Sequence, residues 1–227
     1  MVDYRIYERE SDGKSKLDNV ADMLKDLVNS KQLSFARVLM NSWYACQKLM
    51  FLIEDLGKIY YCPLKKNRLV DNTGGIEKYK SLEKMEGKES EIVQGKLIKI
   101  KGFPQDKKVK LFRVTISINR TEHMVTNDLN QNSITAIKRV CKERGKLDEF
   151  HRKLKQLTGV ESCHCRHAQI QRNHIACAIL VWSFLKKTAY FIGKTVDQLK
   201  HELLSEYLKK ELRYPHLTRS TYLTAKS

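Results

Sequence analysis

No stretch of this sequence is long and apolar enough to cross a bilayer. The longest apolar run, "IACAILVWSFL" from Ile175 to Leu185, falls short of the roughly 20 residues a spanning helix needs. It reads instead as a buried helix. The opening residues, "MVDYRIYERE", hold no apolar core of signal-peptide length. Internal repeats and low-complexity tracts are absent too, which excludes solenoids and fibrous arrays. Acids are in short supply: 26 Asp and Glu stand against 43 Lys and Arg, a net charge of +17. Such an excess points to a polyanionic partner, nucleic acid first and an anionic membrane surface second.

What remains is ordinary for a globular chain. Its 227 residues suffice for one large domain or two small ones, with a core that needs no staples. Six cysteines without a signal peptide imply free thiols and a reducing, cytoplasmic setting. One run, "CHCRHAQIQRNHIAC", gathers Cys163, His164, Cys165, His167, His174 and Cys177. These are zinc-type ligands, but C-x-C is tight for a zinc knuckle. His174 and Cys177 also open an apolar helix, so reduced thiols without zinc are expected.

Residue periodicity lays out the chain. "VDYRIYER" alternates as a strand would. Leu17, Val20, Met23, Leu24, Leu27 and Val28 follow at helical spacing behind Ser15 as cap. "FARVLM" is a short strand ending at "NSWY", Asn41 to Tyr44. A helix to about Leu56 closes at Gly57, and "KIYYCPL" returns as a strand. The first 65 residues thus read β-α-β-α-β, a mixed or parallel sheet with helices against it.

Residues 66–96 are polar and turn-rich. "GKLIKIKGF", "KVKLFRVTISINR" and "EHMVTND" then read as strands, with Phe112, Val114, Ile116 and Ile118 facing one way. Residues 95–120 carry eight Lys or Arg and one acid, Asp106, a basic β-rich stretch. Three helices follow: from about Ile134 to Leu157, stopping at Gly159; from His167 to Phe191; and from Val196 to Leu212. The last carries Thr195 and Gln198 in capping-box spacing.

Within the first of these helices, "CKERGKLDEFHRKLK" aligns Arg144, Asp148, His151 and Lys155 in one stripe at roughly 100° per residue. One reading is a solvated face with i,i+4 ion pairs. The other is a face that presents an acid to a divalent cation and cations to phosphate.

The spacing Cys141-x2-Arg144-x3-Asp148-x6-Lys155 resembles the Tyr-x2-Arg-x3-Glu-x6-Lys motif of bacterial insertion-sequence DDE transposases, in the branch named for insertion sequence four. "DEFHRKLKQLTG", "VLMNSWYA", "YYCPLKKNR" and "RNHIACAILVWSFLK" are similar to stretches of the same enzymes, so the resemblance covers about residues 2–215. It implies an α/β, ribonuclease-H-like mixed sheet with flanking helices, incomplete here. It also implies a basic β-rich insertion and a helical C-terminal region. The expected divisions are a partial core at 1–69, the insertion at 70–126, the motif helix and C-terminal helices at 127–215, and a tail at 216–227.

The activity implied is DNA binding and DNA transposition by Mg²⁺-dependent phosphodiester cleavage and strand transfer. Asn41 and Asp148 fall at the second and third catalytic-acid positions, with Asp148 the metal-ligating acid. Arg144, Lys155, Lys65 and Arg68 fall where phosphate would be held. Four departures stand out. Asn41 is neutral where the family has Asp. Asp148 is one methylene shorter than the family Glu. Cys141 and Gly145 replace the family's Tyr and Trp. No residue matches the first acid, and Asp3 lies on the wrong strand for it. The chain therefore reads as the back part of such an enzyme, truncated and inactive. The alternative is a non-catalytic DNA-binding remnant that associates with itself or with an intact transposase, or inhibits the latter.

Overall fold

The computed structural model describes residues 3–7, 13–74, 79–85, 94–118 and 120–214. The chain forms two compact units, Met1–Leu147 and Asp148–Ser227. The first is α/β and contains a seven-stranded mixed sheet; the second is helical among the described residues. The expected divisions at 69/70 and 126/127 both fall inside the first unit. The division between the two units falls inside a helix.

In the first unit, α1 spans Lys16–Asn29 and starts at a capping box. The Asp18 N–H donates to Ser15 Oγ, and the Ser15 N–H donates to Asp18 Oδ2 at 2.9 Å. Each bond satisfies a donor that the first helical turn would leave orphaned. Strand β1 (Arg37–Leu39) leads through α2 (Gln47–Asp55) to β2 (Ile59–Leu64), and the two strands pair in parallel. Gly57, at φ +67°, ends α2 in the left-handed conformation that favours glycine.

Five more strands complete the sheet: β3 (Leu69–Asp71), β4 (Lys80–Ser81), β5 (Lys96–Ile100), β6 (Val109–Ser117) and β7 (Arg120–Thr126). The spatial order is β1-β2-β7-β6-β5-β3-β4, and every pair except β1–β2 is antiparallel. The basic β-rich stretch is therefore not a separate layer. It continues the sheet from β2, with Cys62 opposite Val125 and Leu111 opposite Val125 on the other side.

Strand alternation builds two cores. On one face, Tyr60, Cys62 and Leu64 of β2, Val109 and Leu111 of β6 and Val125 of β7 pack with Leu49, Met50 and Ile53 of α2. On the other face, Tyr61, Phe112, Val114 and Met124 pack with Ile137, Val140 and Cys141 of α3 (Ile134–Thr158). With both faces covered, β2 and the first half of β6 are buried continuously. Lys110 lies inside this region. Its ammonium donates to Leu129 O at 3.2 Å and to Asn132 Oδ1, so a buried charge has acceptors.

Two sequence expectations need correction, and one strand face runs out of the core. Residues 3–7 are not a strand. Ion pairs tie this segment to α1 and the turn after it instead: Arg5 reaches Asp26 at 2.8 Å and Asp22 at 3.8 Å, and Asp3 meets Lys31, just past the helix, at 2.9 Å. Ile116 and Ile118 follow the alternation of Phe112 and Val114 but are exposed. Finally, the apolar run at Ile175–Leu185 is not a buried helix. In α4 (Ala168–Phe191) only Ala178 and Ala189 are buried, while Leu180, Val181 and Phe184 are exposed. A helix buries one stripe of its surface against a neighbour, and this helix is apolar beyond its stripe.

In the second unit, α3 from Asp148 onward is followed by a short 3-10 turn (Val160–Ser162), α4 and α5 (Val196–Arg213). Gly159 ends α3 at φ +62°. The capping box of α5 forms as its spacing predicts: Thr195 Oγ1 accepts from the Gln198 N–H, and Gln198 Oε1 accepts from the Thr195 N–H at 2.9 Å. Ala189, Val196 and Leu199 make a small core with Leu157 and Leu185. Among the described residues, no single helix is long and apolar enough to cross a membrane.

Candidate nucleic-acid interface

The turn after β1 is built by its own asparagine. Asn41 Oδ1 accepts the Trp43 N–H at 3.0 Å, and the Asn41 carbonyl accepts the Tyr44 N–H at 3.1 Å. Short polar side chains favour this local bond, which mimics a backbone turn. Its effect is to hold Trp43 out of the core, 74% exposed. Cys46 is the N-cap of α2, and its side chain makes no capping bond.

A second turn lies across from it. Lys65 to Arg68 joins β2 to β3, closed by the Arg68 N–H on Lys65 O at 2.9 Å. The Leu82 N–H on Arg68 O and Ser81 Oγ on Lys66 O brace it from the β4 side, at 3.0 and 2.9 Å. A third turn follows β5, where the Lys101 N–H donates to Leu69 O at 3.0 Å.

These three turns border an open cavity of about 480 Å³. It is lined by Ser42, Trp43, Ala45, Cys46, Leu64, Lys65, Asn67, Arg68, Leu69 and Lys101. Three of the lining residues are cations and none is a carboxylate. Lys65 Nζ lies 5.4 Å from the centre of the Trp43 ring, a cation–π contact. Arg68 Nε is buried with no hydrogen-bond partner among the described residues. A positive, acid-free concavity of this kind attracts anions.

The row on α3 is divided between the two units. In the first, Arg144 is engaged by the sheet: its Nη2 donates to both carboxylate oxygens of Glu122 on β7, each at 2.9 Å. Cys141 is buried in the core, and burial pushes its thiol up to about 11. In the second, Asp148 and His151 are exposed. Lys155 pairs with Glu161, and neighbouring Lys153 pairs with Asp197. Phe150 packs edge-on against Trp182, ring centres 4.7 Å apart. Of the residues singled out from sequence, Lys65 and Arg68 meet at the cavity, with Asn41 shaping its rim. Arg144 lies against β7. Asp148 and Lys155 belong to the helical unit.

The donor set at Asn41 does not fit a divalent cation. Hard cations take several oxygen ligands, usually including carboxylates. Asn41 offers one neutral side-chain oxygen, and the adjoining cavity wall carries three cations and no carboxylate. In the run from Cys163 to Cys177, Cys163 Sγ lies 3.9 Å from Cys165 O and His174 Nε2 lies 3.3 Å from Gly159 O. Among the described residues, no group of three or more His, Cys, Asp or Glu is placed to hold a metal ion.

Sequence reasoning missed Trp43 and Glu122, and it saw Lys101 only as part of a basic run expected to flank the site. Trp43 was readable only as part of "NSWY"; its role depends on the Asn41 bond, which spacing does not reveal. Lys101 sits in the basic run "KIKGF", and only the pairing of β5 with β3 brings it beside Arg68. Glu122 gives no local signal as the partner of Arg144. No family model matches the chain, and no curated protein or solved structure matches it either.

Proposed function

We propose that this chain is a DNA-binding protein of transposase type that holds the phosphate backbone and does not cut it. On this reading the first unit is a ribonuclease-H-like core whose sheet is extended by the basic β-strands. Asn41 then stands where a catalytic acid would stand, at the end of β1. The carrying observation is the cavity beside Asn41, with Lys65, Arg68 and Lys101 in its wall and no carboxylate. Backbone-directed cations give affinity without sequence reading. The net charge of +17 supplies the long-range attraction.

The same observation argues against Mg²⁺-dependent cleavage at this place, because a cation-lined wall repels the metal that such chemistry needs. Strand cleavage tests the reading. Insertion-sequence-end duplexes incubated with Mg²⁺ or Mn²⁺ are expected to be bound and left intact. Cleavage above that of an Asp148→Ala variant would overturn it.

A further inference from the structure

We propose that the cavity between Trp43 and Arg68 is a seat for one nucleotide, with the base against the Trp43 indole and the phosphate among Arg68, Lys65 and Lys101. The DNA-binding reading bears only on where that nucleotide comes from; the chemistry of the seat stands on its own.

Three observations converge. First, the cavity is built rather than incidental. Its rim is three hydrogen-bonded turns, and its volume of about 480 Å³ falls in the range of small-ligand sites, about 300–1,000 Å³. Second, its charge has one sign. Among the described residues, no carboxylate pairs with Lys65, Arg68 or Lys101. Arg68, Lys65 and Lys101 all stand in the cavity wall, and guanidinium and ammonium groups bond phosphate oxygens with charge assistance. Third, an indole stands exposed at the same rim, held there by the Asn41 bond although water is a poor environment for it. Lys65 Nζ lies 5.4 Å from the ring centre, which ties the indole to the cationic wall. A base would add a stacking partner to that pair, because aromatic stacking plus a cationic groove is how unpaired nucleotides are held.

The shared chemistry is a base and a phosphate on one sugar, supplied either by a free nucleotide or by an unpaired residue at a strand end. The test follows tryptophan emission of the full chain at low salt. The titrants are deoxyadenosine monophosphate, a 5′-phosphorylated trinucleotide, the same trinucleotide with an abasic first residue, and inorganic phosphate.

Base-bearing ligands are expected to quench emission, and the quench should vanish in Trp43→Phe while Trp182 still emits. Trp43→Ala is expected to weaken the base-bearing ligands about tenfold and to leave the abasic one unchanged. Arg68→Ala should weaken all of them. Tighter binding of the trinucleotide than of the monophosphate would identify a strand end; equal binding would identify a free nucleotide. Equal affinity for base-bearing and abasic ligands would overturn the proposal, as would a Trp43→Ala loss shared by both. Duplex binding measured alongside separates the two claims: a persistent nucleotide quench without duplex binding would retain the seat and remove the DNA-binding reading.

Discussion

Arg144 on α3 and Glu122 on β7 form a paired charge at the edge of the core, Nη2 lying 2.9 Å from each carboxylate oxygen. Their side chains are only 12% and 10% exposed. Breaking such a pair from one side leaves a charge that is poorly solvated. Glu122→Gln is therefore expected to lower stability by about 2 kcal/mol, read as a shift in the urea midpoint. An unchanged midpoint would mean that the pair is solvated and contributes little.

The same pair ranks the cations for DNA affinity. Glu122 neutralises Arg144 locally, whereas Arg68 has no carboxylate partner among the described residues. Arg68→Ala should weaken duplex binding several-fold more than Arg144→Ala. Filter binding or fluorescence anisotropy at fixed salt decides the order, and the reverse order would place the DNA contact on α3.

Asn41 shapes a turn, and a carboxylate can accept the same Trp43 N–H. Asn41→Asp is expected to keep stability within about 0.5 kcal/mol, whereas Asn41→Ala should cost about 1 kcal/mol. Thermal unfolding of the two variants checks this. Equal losses in both would show that the side-chain bond does not hold the turn.

Gly95 closes against Phe112. At φ +78° it occupies backbone space that L residues avoid, and an added Cβ would sit 2.6 Å from the ring's Cζ. Gly95→Ala should cost about 3 kcal/mol, from left-handed strain and overpacking together. A loss below about 1 kcal/mol in a denaturant titration would show that the ring can move aside.

The thiols give a pH dependence with a definite sign. Burial pushes the Cys62 thiol up to about 12 and the Cys141 thiol to about 11, from an ordinary value near 9. Below pH 9 both folded and unfolded chains keep these protons, so the two thiols add no pH dependence. Above pH 9 the unfolded thiols ionise while the folded ones cannot, so stability falls as pH rises through 9 to 11. Cys62→Ala should flatten that fall, and a slope equal to wild type would contradict it. Thiol titration at pH 8 should find Cys177 reactive at once and Cys62 and Cys141 only after unfolding.

Local signals were the legible ones. Ser15, Thr195 with Gln198, Gly57 and Gly159 mark helix ends because caps and left-handed stops depend on a few neighbouring residues. β2, β5, β6 and β7 are readable from alternating or continuous apolar runs. β3 and β4 are not: each is two or three residues long and exists through distant partners, Val70 opposite Ile100 and Leu69 opposite Ser81. The segment 3–7 misleads in the opposite direction, since its strand-like alternation loses to ion pairs with α1. The candidate site divides in the same way. Lys65 and Arg68 are visible as a basic turn, and Asn41 as a turn-forming residue of "NSWY". That these flank one cavity with Trp43 and Lys101 follows only from the order of strands in the sheet.

The salt dependence of duplex binding bears most directly on the proposal that this chain grips DNA through its cations. The wild-type chain and a Lys65→Ala/Arg68→Ala/Lys101→Ala variant would be titrated between low and physiological salt. Wild-type affinity should fall steeply and linearly in log–log form, and the variant's slope should be shallower by about 2 to 3 phosphate contacts. A wild-type affinity that is absent or indifferent to salt, or a variant with the same slope, would contradict the reading.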